Sequence, residues 1–191
     1  MKNSIKKKLF KKMKFQETYL KDSYLIELNK HEDERGFFVR LFCKKEFVKK
    51  GLNTKWVQIN NSLCKKSATL RGLHFQKTPF QEIKLIKCMK GMIWDVIVDL
   101  RKNSKTFGKW FGAKLTEKNK LMIYVPKGFA HGYISLKPNS EILYLVSTFY
   151  TPEAEETLLW NDSRIAINWP LKPKLISDKD KLGKELIKLT L

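Results

Sequence analysis

The segment Thr69-Leu70-Arg71-Gly72-Leu73-His74-Phe75-Gln76 places a histidine between an arginine and a glutamine on a strand-like stretch. Ten residues on, Lys84 lies in another strand-like run, Ile83-Lys84-Leu85-Ile86-Lys87-Cys88. Imidazole is the side chain best suited to moving protons near neutral pH. An ammonium aimed at the same point stabilises a developing oxyanion. Together they suggest proton transfer at a carbon next to a carbonyl group.

An isolated histidine is more often a satisfied core residue, and the neighbours of His74 shift that balance. Gly72 and Gln76 share its face in a regular strand, and a glycine there leaves room for a ligand. Strand parity puts Arg71 on the opposite face. One strand aims both at one ligand only through a bulge or a twist, and the sequence leaves that open. The chain has three histidines, His31, His74 and His131, none of them two residues apart. That spacing argues against a metal-binding barrel. Cys43, Cys64 and Cys88 are odd in number and not in CxxC spacing, which reads as reduced thiols rather than disulfides.

These residues must be positioned by strands. Short extended runs occur at 24–28, 37–42, 55–60, 83–89, 92–99, 110–115, 121–125 and 141–150, with a short helix over 44–50 closed by Gly51. Lys90-Gly91 reads as the turn of a hairpin joining 83–89 to 92–99. Thr116 to Lys120 reads as the turn of a second pair, 110–115 with 121–125. Residues 183–189 read as a C-terminal helix. Many short strands with frequent turns and little helix predict an all-β sandwich or jelly-roll barrel. The length of 191 residues suits one domain.

Basic residues number 39 against 19 acidic, a net charge of +20. The lysines are scattered, so a solvated surface accounts for them better than a nucleic-acid partner does. The one dense block falls in residues 1–14, read as a solvated basic arm outside a single domain over 15–191. No apolar run is long enough to span a bilayer, and the basic start lacks an apolar signal core. The expectation is a cytoplasmic protein with no membrane partner.

Several further motifs occur in order: Asp33-Glu34-Arg35-Gly36-Phe37-Phe38, Thr106-Phe107-Gly108-Lys109-Trp110, Val125-Pro126-Lys127-Gly128-Phe129-Ala130-His131-Gly132, Trp160-Asn161-Asp162, Ile167-Asn168-Trp169-Pro170 and Leu175-Ile176-Ser177-Asp178-Lys179-Asp180. With the His74 segment, this set resembles the dTDP-4-dehydrorhamnose 3,5-epimerase family over nearly the whole chain from about residue 15. The resemblance implies an all-β, cupin-type jelly-roll barrel with a few short peripheral helices, a homodimer, and neither metal nor other cofactor. It implies inversion at C3 and C5 of a 4-keto-6-deoxy sugar linked to a nucleoside diphosphate, both carbons flanking the C4 ketone.

By the same resemblance, His74 is the base, Asp180 its orienting carboxylate, Lys84 the enolate stabiliser and Tyr144 the acid on the opposite face. Read alone, Asp180 is a polar-turn residue, Lys84 a solvated strand lysine and Tyr144 a core aromatic. Arg35 and Arg71 match diphosphate positions, and guanidinium forks suit phosphate geometry. Gln58 and Asn60 match nucleotide contacts, and Phe38 matches an aromatic near the base or else packs in the core. His131 is a binding residue by resemblance and otherwise a residue of the Pro126 turn. Tyr150 shares strand parity with Tyr144, so both can face one cavity. The chain departs from the family pattern at His31 and Arg40, near the expected nucleobase pocket. Two alternatives are an epimerase acting at one centre only and a non-catalytic sugar-nucleotide-binding barrel.

Overall fold

Strands carry nearly all the regular structure, and the central ones are largely buried on both faces. The computed structural model describes residues 12–189. The basic block of the expected arm, residues 1–14, lies outside the described residues up to residue 11. Met13 is buried, and Lys14 opens the first strand.

The strands in chain order are β1 (Lys14–Glu17), β2 (Tyr24–Glu27), β3 (Lys30–Asp33), β4 (Gly36–Val39), β5 (Gln58–Cys64), β6 (Thr69–Gln76), β7 (Lys84–Lys90), β8 (Met92–Asp99), β9 (Trp110–Thr116), β10 (Leu121–Val125), β11 (Phe129–Ser135), β12 (Ser140–Val146), β13 (Glu155–Thr157) and β14 (Leu175–Ile176). The α-helices are α1 (Lys44–Lys49) and α2 (Asp178–Lys181).

A first sheet runs β1-β2-β10-β7-β12-β5, and a second runs β13-β6-β11-β8-β9, with β14 added in parallel to β6. A separate ribbon is made by β3 and β4. This corrects the expected jelly-roll barrel. Among the described residues neither sheet closes on itself, so the architecture is an open two-sheet sandwich, still all-β with short helices. The chain switches sheets in its connections, with no ladder across them. The Lys90-Gly91 turn, with Gly91 at φ +75°, carries the chain from β7 in one sheet to β8 in the other. The expected hairpin there does not exist, and β9 and β10 are separated in the same way. A turn motif reports that the chain reverses, and leaves open whether the returning strand pairs beside or stacks across.

Between the sheets lies a core of Ile86, Cys88, Ile93, Ile97, Leu115, Ile123 and Ile142. The outer face of the first sheet is covered by α1 and its flanks, with fully buried Phe47 against Leu85 and Met122. The outer face of the second is covered by the C-terminal stretch, Leu158 and Ile165 packing on Leu73, Val96 and Val98. The expected helix over 183–189 is instead a short 3-10 turn, Leu186–Lys188, and the strand expected to reach residue 150 ends at Val146. No helix among the described residues is long and apolar enough to cross a membrane.

Candidate active site

Period-two alternation aims one set of side chains from each sheet into the space between them. From the first sheet come Gln58, Asn60 and Ser62 of β5, Lys84 of β7 and Tyr144 of β12. Tyr144 lies directly opposite Asn60, and Val146 lies opposite both Gln58 and Lys84, so these positions form adjacent rows. From the second sheet come His74 of β6 and His131 of β11, paired across their strands. A cavity of 540 Å³ is lined by these histidines, Arg71, Lys84, Tyr144 and Asp180. A smaller lobe of 280 Å³ adds Gln58, Asn60, Glu82, Tyr150 and Glu155. His74, Lys84 and Tyr144 line both lobes and mark the waist between them.

Arg71 reaches the cavity because β6 is irregular. Its register with β11 slips by one residue between His74 and Arg71. Gly72 makes this possible with φ +115°, a conformation that L side chains rarely adopt. A Cβ at Gly72 would lie 2.6 Å from the Gly132 Cα, and one at Gly132 would lie 2.7 Å from the Arg71 carbonyl oxygen. The two glycines therefore permit the close approach of β6 and β11. Gly72→Ala is expected to destabilise the fold by at least ~1–3 kcal/mol from backbone strain alone. The check is the midpoint of denaturant unfolding, and an unchanged midpoint would remove this account of the bulge.

Asp180 arrives from the far end of the chain. Its backbone N–H donates to Ser177 Oγ (3.2 Å), the cap that starts α2. Its side chain is 4% exposed, with Oδ1 2.6 Å from His74 Nε2. Oδ2 accepts from the Gly72 N–H at 3.1 Å. Burial opposes its ionisation, but the hydrogen bond and charge of His74, together with the Gly72 N–H, outweigh that and hold the carboxyl below its usual range.

A second pair stands beside it. His131 Nε2 lies 2.9 Å from Asp95 Oδ2, and Asp95 is fully buried. Burial pushes the Asp95 carboxyl up against the pull of His131 and Lys84. Its Oδ1 lacks a hydrogen-bond partner among the described residues. Lys84 Nζ lies 2.6 Å from Glu82 Oε1. Burial raises the Tyr144 phenol, and Glu82 adds to that effect. Tyr133, raised by burial, donates to Ser62 Oγ at 3.1 Å.

In the smaller lobe, Gln58 Oε1 accepts from the Tyr150 N–H (2.8 Å), and the Tyr150 hydroxyl donates to Glu155 (2.7 Å). Gln76, buried, fastens the mouth: its amide donates to the Phe80 and Phe149 carbonyls and accepts from the Thr151 N–H.

Nine of the eleven expected site residues thus share one two-lobed cavity. The other two, Arg35 and Phe38, sit on the β3–β4 ribbon beside a separate groove of 550 Å³. Asp95, Glu82, Tyr133 and Glu155 were not anticipated. An acid inside the apolar run Ile93-Trp94-Asp95-Val96-Ile97-Val98 was the available signal for Asp95. Glu82 shares strand parity with Lys84, which was the signal there. Among the described residues, no group of three or more His, Cys, Asp and Glu side chains is gathered as a metal would need.

Such a site, an imidazole with its own carboxylate facing a lysine and a phenol across a sandwich, is equipped for acid–base chemistry on a ligand between the two sheets. Comparison with known proteins narrows this class. Residues 17–188 match the family model described as dTDP-4-dehydrorhamnose 3,5-epimerase. The Shigella flexneri dTDP-4-dehydrorhamnose 3,5-epimerase is 41% identical over 171 residues, covering 89% of this chain and 94% of that protein. The crystal structure of the Bacillus anthracis epimerase with TDP and PPi bound superposes with TM-score 0.89 at 42% identity, over 91% of this chain and 99% of that one. The Legionella pneumophila enzyme, in complex with dTDP-4-keto-L-rhamnose, gives TM-score 0.89 at 36% identity, over 93% and 95%. The chain belongs to the dTDP-4-dehydrorhamnose 3,5-epimerase family, and it is an isomerase.

Proposed function

We propose that this protein epimerises dTDP-4-dehydro-6-deoxy-D-glucose at C3 and C5, giving dTDP-4-dehydro-L-rhamnose for polysaccharide biosynthesis. The observation that carries this reading is the His74–Asp180 pair facing Lys84 and Tyr144 across one cavity.

His74 removes the proton from C3 or C5. Asp180 on Nε2 leaves Nδ1 as the basic nitrogen and stabilises the imidazolium that forms. The electron pair of the broken C–H bond moves into the C4 carbonyl, and Lys84 stabilises the resulting enolate oxygen. Inversion then needs a proton from the other side of the ring. His74 stands on the second sheet and Tyr144 on the first, so a ring between the sheets is flanked by base and acid. Burial favours the protonated phenol that this role requires.

Arg71 binds the diphosphate, and Gln58, Asn60, His131 and Tyr150 line the remainder of the substrate's path. Arg35 and Phe38 belong to the same proposal through a homodimer. Their ribbon carries exposed Phe37 and Phe38, and in a dimer such a ribbon can complete the partner's cavity. A single domain over 15–191 and a cytoplasmic location complete the reading, the latter supported by three free thiols.

The test is incubation with dTDP-4-dehydro-6-deoxy-D-glucose in deuterated water, followed by proton NMR. Loss of the C3 and C5 proton signals with appearance of the L-rhamno product is expected. Exchange at one carbon would make the protein a single-centre epimerase, and exchange at neither would refute the proposal.

A further inference from the structure

Glu82 lies just outside β7, yet its side chain is as buried as that of Lys84. Each keeps 10% of its surface, and the ion pair between them spans 2.6 Å. The backbone that aims Glu82 is fixed on both sides. The Ile83 N–H donates to Ser147 Oγ (2.8 Å), and the Ser147 N–H donates to the Ile83 carbonyl (3.0 Å). Thr148 Oγ1 donates to the Gln81 carbonyl at 3.0 Å. Two residues upstream, the Phe80 carbonyl accepts from the Gln76 amide at 3.0 Å. A carboxylate held this firmly in a half-closed lobe has a use beyond surface charge balance.

We propose that Glu82 is a positioning residue: its carboxylate fixes the Lys84 ammonium at the waist of the cavity and sets the charge that Tyr144 faces. Lysine has a flexible four-carbon stem, and an ammonium free to wander is a poor preorganised donor. Accepting one of its three N–H groups leaves two for the C4 oxygen. The same negative charge disfavours phenolate at Tyr144. Arg71 acts in the opposite sense, Glu155 acts with Glu82, and Tyr133 stands nearby. Lys84 faces Asp95 as well as Glu82, and His74 completes the ring of charged or titratable groups at the waist. This inference rests on the proposed reading of the cavity.

Glu82→Gln and Glu82→Ala test it, with kcat and KM followed between about pH 6 and 10 to bracket the phenol range. The amide oxygen of Glu82→Gln still accepts from Lys84, so kcat at neutral pH is expected within about threefold of wild type. Glu82→Ala is expected to lower kcat about tenfold or more, with KM within about threefold, because the effect falls on the transition state. In both variants the alkaline limb of kcat is expected to move to lower pH by about half a unit or more, since a negative charge facing the phenol is gone. A merely structural role would lower the melting temperature without moving that limb, and a ligand contact would raise KM alone. Either result would overturn the proposal. If the alanine variant fails to fold, the alkaline limb of the glutamine variant decides. Exchange in wild type that is unaltered in both variants would sink Glu82 alone, whereas no exchange in wild type would sink this inference and the reading beneath it together.

Discussion

His74→Ala is expected to abolish exchange of the C3 and C5 protons with solvent deuterium, with turnover falling by about 10²–10⁴. The size follows from the role. The C–H bonds beside the ketone are weak acids, and in this cavity His74 is the imidazole that already has a carboxylate on one nitrogen, 2.6 Å away. His131 has a comparable partner in Asp95, but Asp95 is fully buried and its carboxyl is pushed up by that burial. Substrate binding is expected to persist in His74→Ala within a few fold, because Arg71 and the amides of Gln58 and Asn60 are untouched. Isothermal titration with the nucleotide sugar, set beside the NMR exchange rate, separates binding from chemistry. Exchange at the wild-type rate in the folded variant would remove His74 from the mechanism.

Lys84→Ala is expected to lower kcat by about 10²–10³ while KM moves little, the signature of an interaction that strengthens as charge develops on the C4 oxygen. Steady-state kinetics resolve the two parameters, and a change confined to KM would reduce Lys84 to a ligand contact. The substitution also strands the Glu82 carboxylate, whose side chain is only 10% exposed. Removing one partner of a buried pair is more damaging than the pair is stabilising. Thermal unfolding therefore belongs beside the kinetics, so that a smaller folded fraction is not taken for a slower reaction.

The strands were legible in the sequence because their apolar runs and turn residues are local signals. Their partners were not, because pairing is decided by residues far apart. Lys90-Gly91 shows the limit: the glycine marks a reversal, yet it joins two sheets and makes no hairpin. His74 stood out through its strand neighbours Gly72 and Gln76, whereas Lys84, Gln58 and Asn60 were assigned to the site through resemblance. Arg71 could not be aimed by parity, since its orientation depends on the bulge at Gly72. Asp180 was legible only through resemblance, as it meets its partner 106 residues away. The barrel expectation failed for a related reason. Alternation or a continuous apolar run shows whether one face of a strand or both are covered, but whether the sheet edges meet depends on ladders the sequence does not print.

The His74–Asp180 pair joins two parts of the molecule that are held very differently. His74 sits on β6, which is flanked by β11 along one edge and by β13 and β14 along the other. Asp180 sits on a segment held by a two-residue ladder, one turn of helix, a bridge from Leu158 to Lys184 and the ion pairs of Lys179 with Glu155 and Lys184 with Glu156. Local opening free energies differ widely across a native protein, and a segment with so little ladder is expected to open before the sheets do. Under the proposed mechanism the pair is only as durable as its less extensively paired half: opening of residues 175–184 would part the imidazole from its carboxylate without breaking a ladder of the first sheet.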